Sequence, residues 1–177
     1  MDSNTPPHRP PHIYLDNTWY IITASTLSRA RYLITDAHLL KWVSGLKMLV
    51  KEYNFKLSAW VVLHNHYHLL IKPSAGHDVG KFIGHLNGRS SRELNLMDHT
   101  KGRKIWYSYW DTCIRTEKDY WTRFNYIHNN PVKHGYVQNH VDWKYSSYGY
   151  YLRTKGEAWL ADCWQRYPVI DYSDDRF

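Results

Sequence analysis

Apolar residues recur along this chain with two different periods, and the switches between the periods outline its elements. Residues 13–26, IYLDNTWYIITAST, are rich in β-branched and aromatic types and read as a first strand. From residue 36 to 53 the spacing becomes helical. Leu39, Trp42, Val43, Leu46, Leu49, Val50 and Tyr53 recur at steps that keep them on one side, and Asp36 is a candidate cap. Residues 55–64 (FKLSAWVVLH) and 66–73 (HYHLLIKP) read as a second and third strand, tightly joined near His64-Asn65 and ended by Pro73. The helical period returns over 78–96, with Val79, Phe82, Ile83, Leu86, Ser90 and Leu94 as the inner stripe. Residues 103–116 read as a fourth strand. Residues 117–130 read as a third helix, with Glu117 and Asp119 suited to its first turn and Pro131 stopping or kinking it. The order strand, helix, two strands, helix, strand, helix predicts an α+β fold of the ferredoxin-like, split β-α-β kind. That plan is an antiparallel sheet with helices on one face.

The ends of the chain read differently. Residues 1–12 hold Pro6, Pro7, Pro10 and Pro11 without periodicity, which suits a flexible or polyproline-like arm. The stretch DWKYSSYGYYL packs or pairs again, and no pattern emerges after residue 153. One domain over 13–153 and a C-terminal tail over 154–177 are therefore expected.

Charge sharpens this picture. The net charge of +7 is uneven: residues 1–153 carry 20 Lys/Arg against 11 Asp/Glu, whereas 154–177 carry 3 against 5. With 9 Trp and 16 Tyr, a basic body of this kind suits single-stranded nucleic acid, held by its backbone and stacked on rings. A ring-rich core in a merely basic protein fits equally well. Cys113 and Cys163 form no C-x-x-C pair, and no apolar run is long enough to span a bilayer. A soluble, cytoplasmic protein is expected. On the second helix, Gly80, Gly84 and Gly88 lie opposite the inner stripe, beside Lys81, Arg89 and Arg92. Each helical glycine costs about 1 kcal/mol relative to alanine. Close approach of a phosphate chain is one reason for the line, and an ordinary solvent-facing helix is the other.

Two short stretches carry the candidate chemistry. In a strand, His66 and His68 point one way and Tyr67 the other, so the two imidazoles can share one metal ion. Such a pair also arises by chance among 12 histidines. His64 extends the alternation and leaves a three-histidine zinc site open. On the third helix, Arg123, Tyr126 and Asn130 share a stripe away from Tyr120, Phe124 and Ile127. Taken alone, that stripe also reads as a surface tyrosine followed by two asparagines that end the helix.

Together, HNHYHLLIKP and YIHNNPVKHGYV resemble the REP-associated tyrosine transposases, a branch of the single-tyrosine HUH (His-hydrophobic-His) transposases. NGRSSRELN (87–95), IWYSYWDTCIRTEKDY (105–120) and WKYSS (143–147) look like the same family, and the resemblance covers roughly residues 13–153. It implies the HUH endonuclease fold, with Tyr126 as nucleophile and His66, His68 and Asn130 as ligands of Mg²⁺ or Mn²⁺. Arg123 and Lys133 become candidates for charge stabilisation. With Lys81, Arg89 and Arg92 they are the candidate contacts to nucleic acid. The implied substrate is single-stranded DNA beside hairpin-forming repeats, cut through a covalent 5′-phosphotyrosine. The implied setting is nucleoid-associated, as a monomer or homodimer. Tyr67 fills a slot that is usually aliphatic, and His64 stands where the family commonly has proline. Pro131 disfavours helical geometry at Asn130, which makes Asn129 a second candidate for the third ligand. The competing readings are a silent single-strand-binding module of the same fold, a zinc hydrolase built on His64, His66 and His68, and a plasmid-type HUH nickase.

Overall fold

The computed structural model describes residues 14–170 and Tyr172, so the arm expected over 1–12 lies outside the described residues. Four strands form one antiparallel sheet in the order β2-β3-β1-β4. They are β1 (Tyr20–Thr26), β2 (Lys56–Val62), β3 (His66–Lys72) and β4 (Trp106–Cys113). β1 is central and every one of its residues is buried, which explains its near-continuous run of apolar and small residues. It starts later than residue 13. Asp16 and Asn17 form a turn in which Asn17 takes a positive φ of 52° and donates its N–H to Pro73 O at 3.0 Å. Asparagine tolerates that conformation, so the aromatic run breaks there.

The two faces of the sheet are covered by different helices. α1 (Asp36–Glu52) and α2 (Val79–Met97) lie against Tyr20, Ile22, Ala24, Tyr67, Leu69 and Ile71. Leu39, Trp42, Val43, Leu46 and Leu49 of α1 meet Val79, Phe82, Ile83, Leu86 and Leu94 of α2 in this core. A fully buried side chain of this size contributes roughly 1.5–3 kcal/mol. α1 is capped by Thr35, whose hydroxyl accepts the His38 N–H at 3.2 Å, and Asp36 sits in the first turn instead.

The expected placement of helices on one face holds for α1 and α2. α3 (Glu117–Lys133) packs on the opposite face, where Phe124, Tyr126 and Ile127 meet Ile21, Val61 and Leu70. α3 also runs past Pro131 instead of stopping there. The proline falls in the last turn, and the helix closes through His134 N–H to Asn130 O at 3.0 Å and Tyr136 N–H to Pro131 O at 2.9 Å.

The stretch after 153 is not a patternless tail. α4 (Tyr148–Lys155) crosses that position, and α5 (Glu157–Arg166) lies on α3. Asn125 of α3 donates its amide hydrogens to Cys163 O and Tyr167 O at 3.0 and 2.8 Å, satisfying carbonyls at the end of α5. Upstream, the WKYSS segment pairs with the β2 edge through Val62 N–H to Tyr145 O and Ser147 N–H to Trp60 O. Among the described residues, no helix is long and apolar enough to cross a membrane.

Candidate active site

Register decides which strand residues meet on the α3 face. In the β1–β3 ladder Thr23 pairs with His68 and Ser25 with His66, and in the β2–β3 ladder Val61 pairs with His68. Paired residues share a face, so both imidazoles look toward α3. Tyr67 looks the other way. Its ring lies 4.9 Å from Trp42 and 5.0 Å from Trp106, and its hydroxyl donates to Asn87 Oδ1 at 2.9 Å. Burial pushes the Tyr67 phenol well above its ordinary range. The central residue of the triplet is therefore an anchor into the rear core, and the polar end of a tyrosine is accommodated there by Asn87.

α3 brings the other candidates to the same place. The Tyr126 ring stands edge-on to His68 at 5.3 Å between centroids. One turn later, Asn130 Oδ1 lies 2.9 Å from His66 Nε2. Because α3 stays helical through Pro131, Asn130 keeps its register with Tyr126. Asn129 points elsewhere, to His140 Nε2 at 3.2 Å. Lys133 places its ammonium 5.3 Å from the Tyr126 ring centroid.

Tyr126 is fully buried, contrary to the surface position its distance from Tyr120 and Phe124 suggests. α3 is sandwiched between the sheet and the C-terminal segment, so both of its stripes are covered. Tyr172 stands edge-on to Tyr126 at 5.2 Å, and Arg123 lies over the Tyr172 ring at 3.4 Å from its centroid. Arg123 is itself buried and paired with Asp119 at 3.4 Å.

The donor set fits a cation. Asn65 Nδ2 donates to Arg29 O at 3.1 Å, which leaves Asn65 Oδ1 as the atom 2.8 Å from His66 Nδ1. That nitrogen must then carry the ring proton of a neutral His66. His66 Nε2 and Asn130 Oδ1 stand 2.9 Å apart, close enough for both to reach one shared cation. Adjacent ligands of an octahedral ion with bonds of about 2.1 Å stand about 3 Å apart. The observed spacing of 2.9 Å matches that edge.

Other expected residues are not gathered here. His64 packs against Tyr136 and Trp143, at 4.8 and 5.8 Å between centroids, and burial followed by the Arg31 charge lowers its pKa. Among the described residues, no group of three or more His, Cys, Asp or Glu is arranged to hold a metal ion, so the three-histidine zinc site is not assembled. Lys81, Arg89 and Arg92 lie exposed on α2, which packs on the opposite face of the sheet. Lys81 pairs with Asp78 at 3.3 Å. A Cβ at Gly84 or Gly88 would meet nothing within 4 Å, and these glycines border an open groove of about 600 Å³ with Met48 and Arg89. Gly84 and Gly88 therefore have no packing cause within the described chain, whereas a Cβ at Gly80 would sit 3.9 Å from the Tyr109 hydroxyl.

A family model described as "Transposase IS200 like" matches residues 15–130. A REP-associated tyrosine transposase of Escherichia coli (strain K12) is 30% identical over 133 residues, covering 74% of this chain and 76% of that one. The chain belongs to the REP-associated tyrosine transposases. A relative of the same class from Haemophilus influenzae is 32% identical over 166 residues, covering 88% of this chain and 92% of its own length. The solved structure of a REP-associated tyrosine transposase bound to a REP hairpin shares the fold, with a TM-score of 0.72 at 23% identity over 94% of this chain and 96% of that one. As a transposase, the chain is an enzyme acting in DNA recombination. Within this transposase, Thr23, Asn65 and Tyr172 reach the site without a sequence signal that names them. Asn65 alone adjoins the triplet, while Thr23 needs the strand register and Tyr172 needs the path of the C-terminal segment.

Proposed function

We propose that this transposase cuts and rejoins one strand of DNA beside hairpin-forming repeats, with Tyr126 as nucleophile. The observation that carries the reading is the convergence of Tyr126 and Asn130, one turn apart on α3, upon His66 and His68 of β3. The family membership and the hairpin complex of the structural neighbour support the choice of DNA.

In this reading His66, His68 and Asn130 hold a divalent ion, Mg²⁺ or Mn²⁺. When bound, it polarises a phosphate oxygen and orients the scissile bond. The Tyr126 phenol oxygen attacks phosphorus. A bond from that oxygen to phosphorus forms, and the bond from phosphorus to the 3′ oxygen breaks. The phenol proton is lost and the departing 3′ oxygen is protonated, leaving a 5′-phosphotyrosine and a free 3′-hydroxyl. Attack by another 3′-hydroxyl reverses the step and joins a new end. Lys133 contributes positive charge beside the phenol, and Arg123, once free of Tyr172, can meet the phosphate.

The test is covalent trapping with labelled hairpin oligonucleotides from the repeats near the gene, in Mg²⁺ or Mn²⁺. A denaturant-resistant adduct that needs the ion and disappears in Tyr126→Phe is expected. An adduct that survives Tyr126→Phe would assign the nucleophile to another residue. Tight hairpin binding with no adduct would favour a binding module.

A further inference from the structure

Both imidazoles of the triplet are gripped from behind, at Nδ1. His66 Nδ1 is held by Asn65 Oδ1, as described. His68 Nδ1 lies 2.8 Å from the hydroxyl of Thr23, its direct cross-strand partner. Thr23 is 5% exposed and His68 fully buried, so water does not compete for this contact. A neutral imidazole carries one N–H and one lone pair, and the partner of one nitrogen decides the role of the other.

We infer that Thr23 is a positioning residue of the transposase site, whose hydroxyl accepts the Nδ1 proton of His68 and so keeps the ring's lone pair on Nε2. This rests on the proposed reading of His68 as an ion ligand, for which an Nε2 lone pair is required. The geometry suits the task. Thr23 sits opposite His68 in the ladder, so its position is set by backbone hydrogen bonds on both sides of β1. A β-branched side chain on a strand is stiff at χ1, so its hydroxyl holds one direction. The register is decisive: a slip of one residue would put Ile22 or Ala24 opposite His68, without a hydroxyl, and would turn the histidines into the rear core.

Asn65 gives His66 the same support from a loop. Its amide is tied to Arg29 O, in a turn where Ser28 and Arg29 both take a φ of 53°. Two successive non-glycine residues in the left-handed region cost roughly 1–2 kcal/mol each. The turn is held by Thr26, whose N–H donates to Asn65 O at 2.9 Å and whose hydroxyl donates to Ala30 O at 2.7 Å. The two ligand rings are thus oriented by different elements, one by the sheet and one by a strained turn.

Thr23→Val removes the hydroxyl at nearly constant shape, and Thr23→Ser keeps it. The first readout is the His68 tautomer in the metal-free protein, from long-range nitrogen–proton spectra at about pH 8, where unperturbed imidazoles are neutral. The second is Mn²⁺ affinity by electron paramagnetic resonance. The wild type is expected to hold the proton on Nδ1. Thr23→Val should shift it toward Nε2 and weaken Mn²⁺ binding about 10- to 100-fold, with Thr23→Ser restoring both. A wild-type proton on Nε2, or a valine variant with unchanged tautomer and unchanged Mn²⁺ affinity, would overturn the assignment. If the wild type binds no Mn²⁺, the ion reading fails, and the tautomer still decides whether Thr23 sets the ring. If Thr23→Val does not fold, the wild-type and serine spectra decide it.

Discussion

Asn130 Oδ1 lies 2.9 Å from His66 Nε2, and this contact joins the helix that carries Tyr126 to the strand that carries both imidazoles. Asn130→Ala is therefore expected to lower Mn²⁺ affinity and the rate of adduct formation together, each by about 10-fold or more. Asn130→Asp keeps an oxygen at the same place, adds charge, and should retain Mn²⁺ binding. Affinity and single-turnover adduct rates measured on both variants check this. Unchanged affinity in Asn130→Ala would remove Asn130 from the ligand set.

Tyr126 is fully buried, with the Tyr172 ring edge-on to it and Arg123 over Tyr172, so in the proposed reaction Tyr172 must move before Tyr126 meets a phosphate. Tyr172→Ala deletes an edge-on ring contact and a cation–π contact, each worth about 1 kcal/mol. Roughly tenfold faster initial adduct formation is expected, with little change in melting temperature because Tyr172 lies beyond α5. A rate equal to wild type would mean that Tyr126 is uncovered by some other movement.

His128 should make stability fall with acid. It is fully buried on the side of α3 away from the imidazole pair, 2.6 Å from Ser147 Oγ and packed on Phe124 and Tyr151. Burial, and secondarily the charge of His140, pushes its pKa down to about 3. The unfolded chain binds this proton near 6.5 and the folded chain does not until about 3. Below pH 6.5 protonation therefore favours unfolding, and stability should drop by about 1.4 kcal/mol per pH unit until the folded pKa is reached. Urea titrations between pH 7 and 4 should show a shallower slope in His128→Gln than in the wild type. Equal slopes would place the acid sensitivity in other groups.

Asn125 secures α5 with both of its amide hydrogens. Asn125→Ala removes the side-chain donor of Tyr167 O and one of the two donors of Cys163 O, which keeps the Tyr167 N–H, at a cost of about 1–3 kcal/mol. Denaturant unfolding should report the loss, and protection of α5 amides from hydrogen exchange should fall first. Undiminished α5 protection would show that its packing on Phe124 and Trp121 suffices.

The sequence carried α1 and α2 nearly residue for residue, because each buries one stripe against one core. α3 was harder. Its Phe124–Ile127 stripe was legible, but Tyr126 looked like a surface residue because the cover on its other side comes from distant residues, Tyr172 among them. Trp159, Leu160 and Cys163 do mark an apolar stripe on α5, though too short a one to stand out. Pro131 misled in the opposite direction: rules for proline forbid a central position more strongly than a last turn. The triplet and Tyr126 were legible as chemistry, whereas Thr23 was not. Nothing local says which residue of β1 will lie opposite His68, since that is fixed only when the sheet forms.

The proposed ligands are divided between β3 and α3, and that division ties ion loading to the folded arrangement. Separated elements in the unfolded chain offer no such site, so an ion held in common acts as a removable staple between sheet and helix. At 100 times its dissociation constant, the ion would add about 2.7 kcal/mol to the unfolding free energy. Heat resistance would then track free divalent ion, and a chelator would loosen first the helix that bears Tyr126.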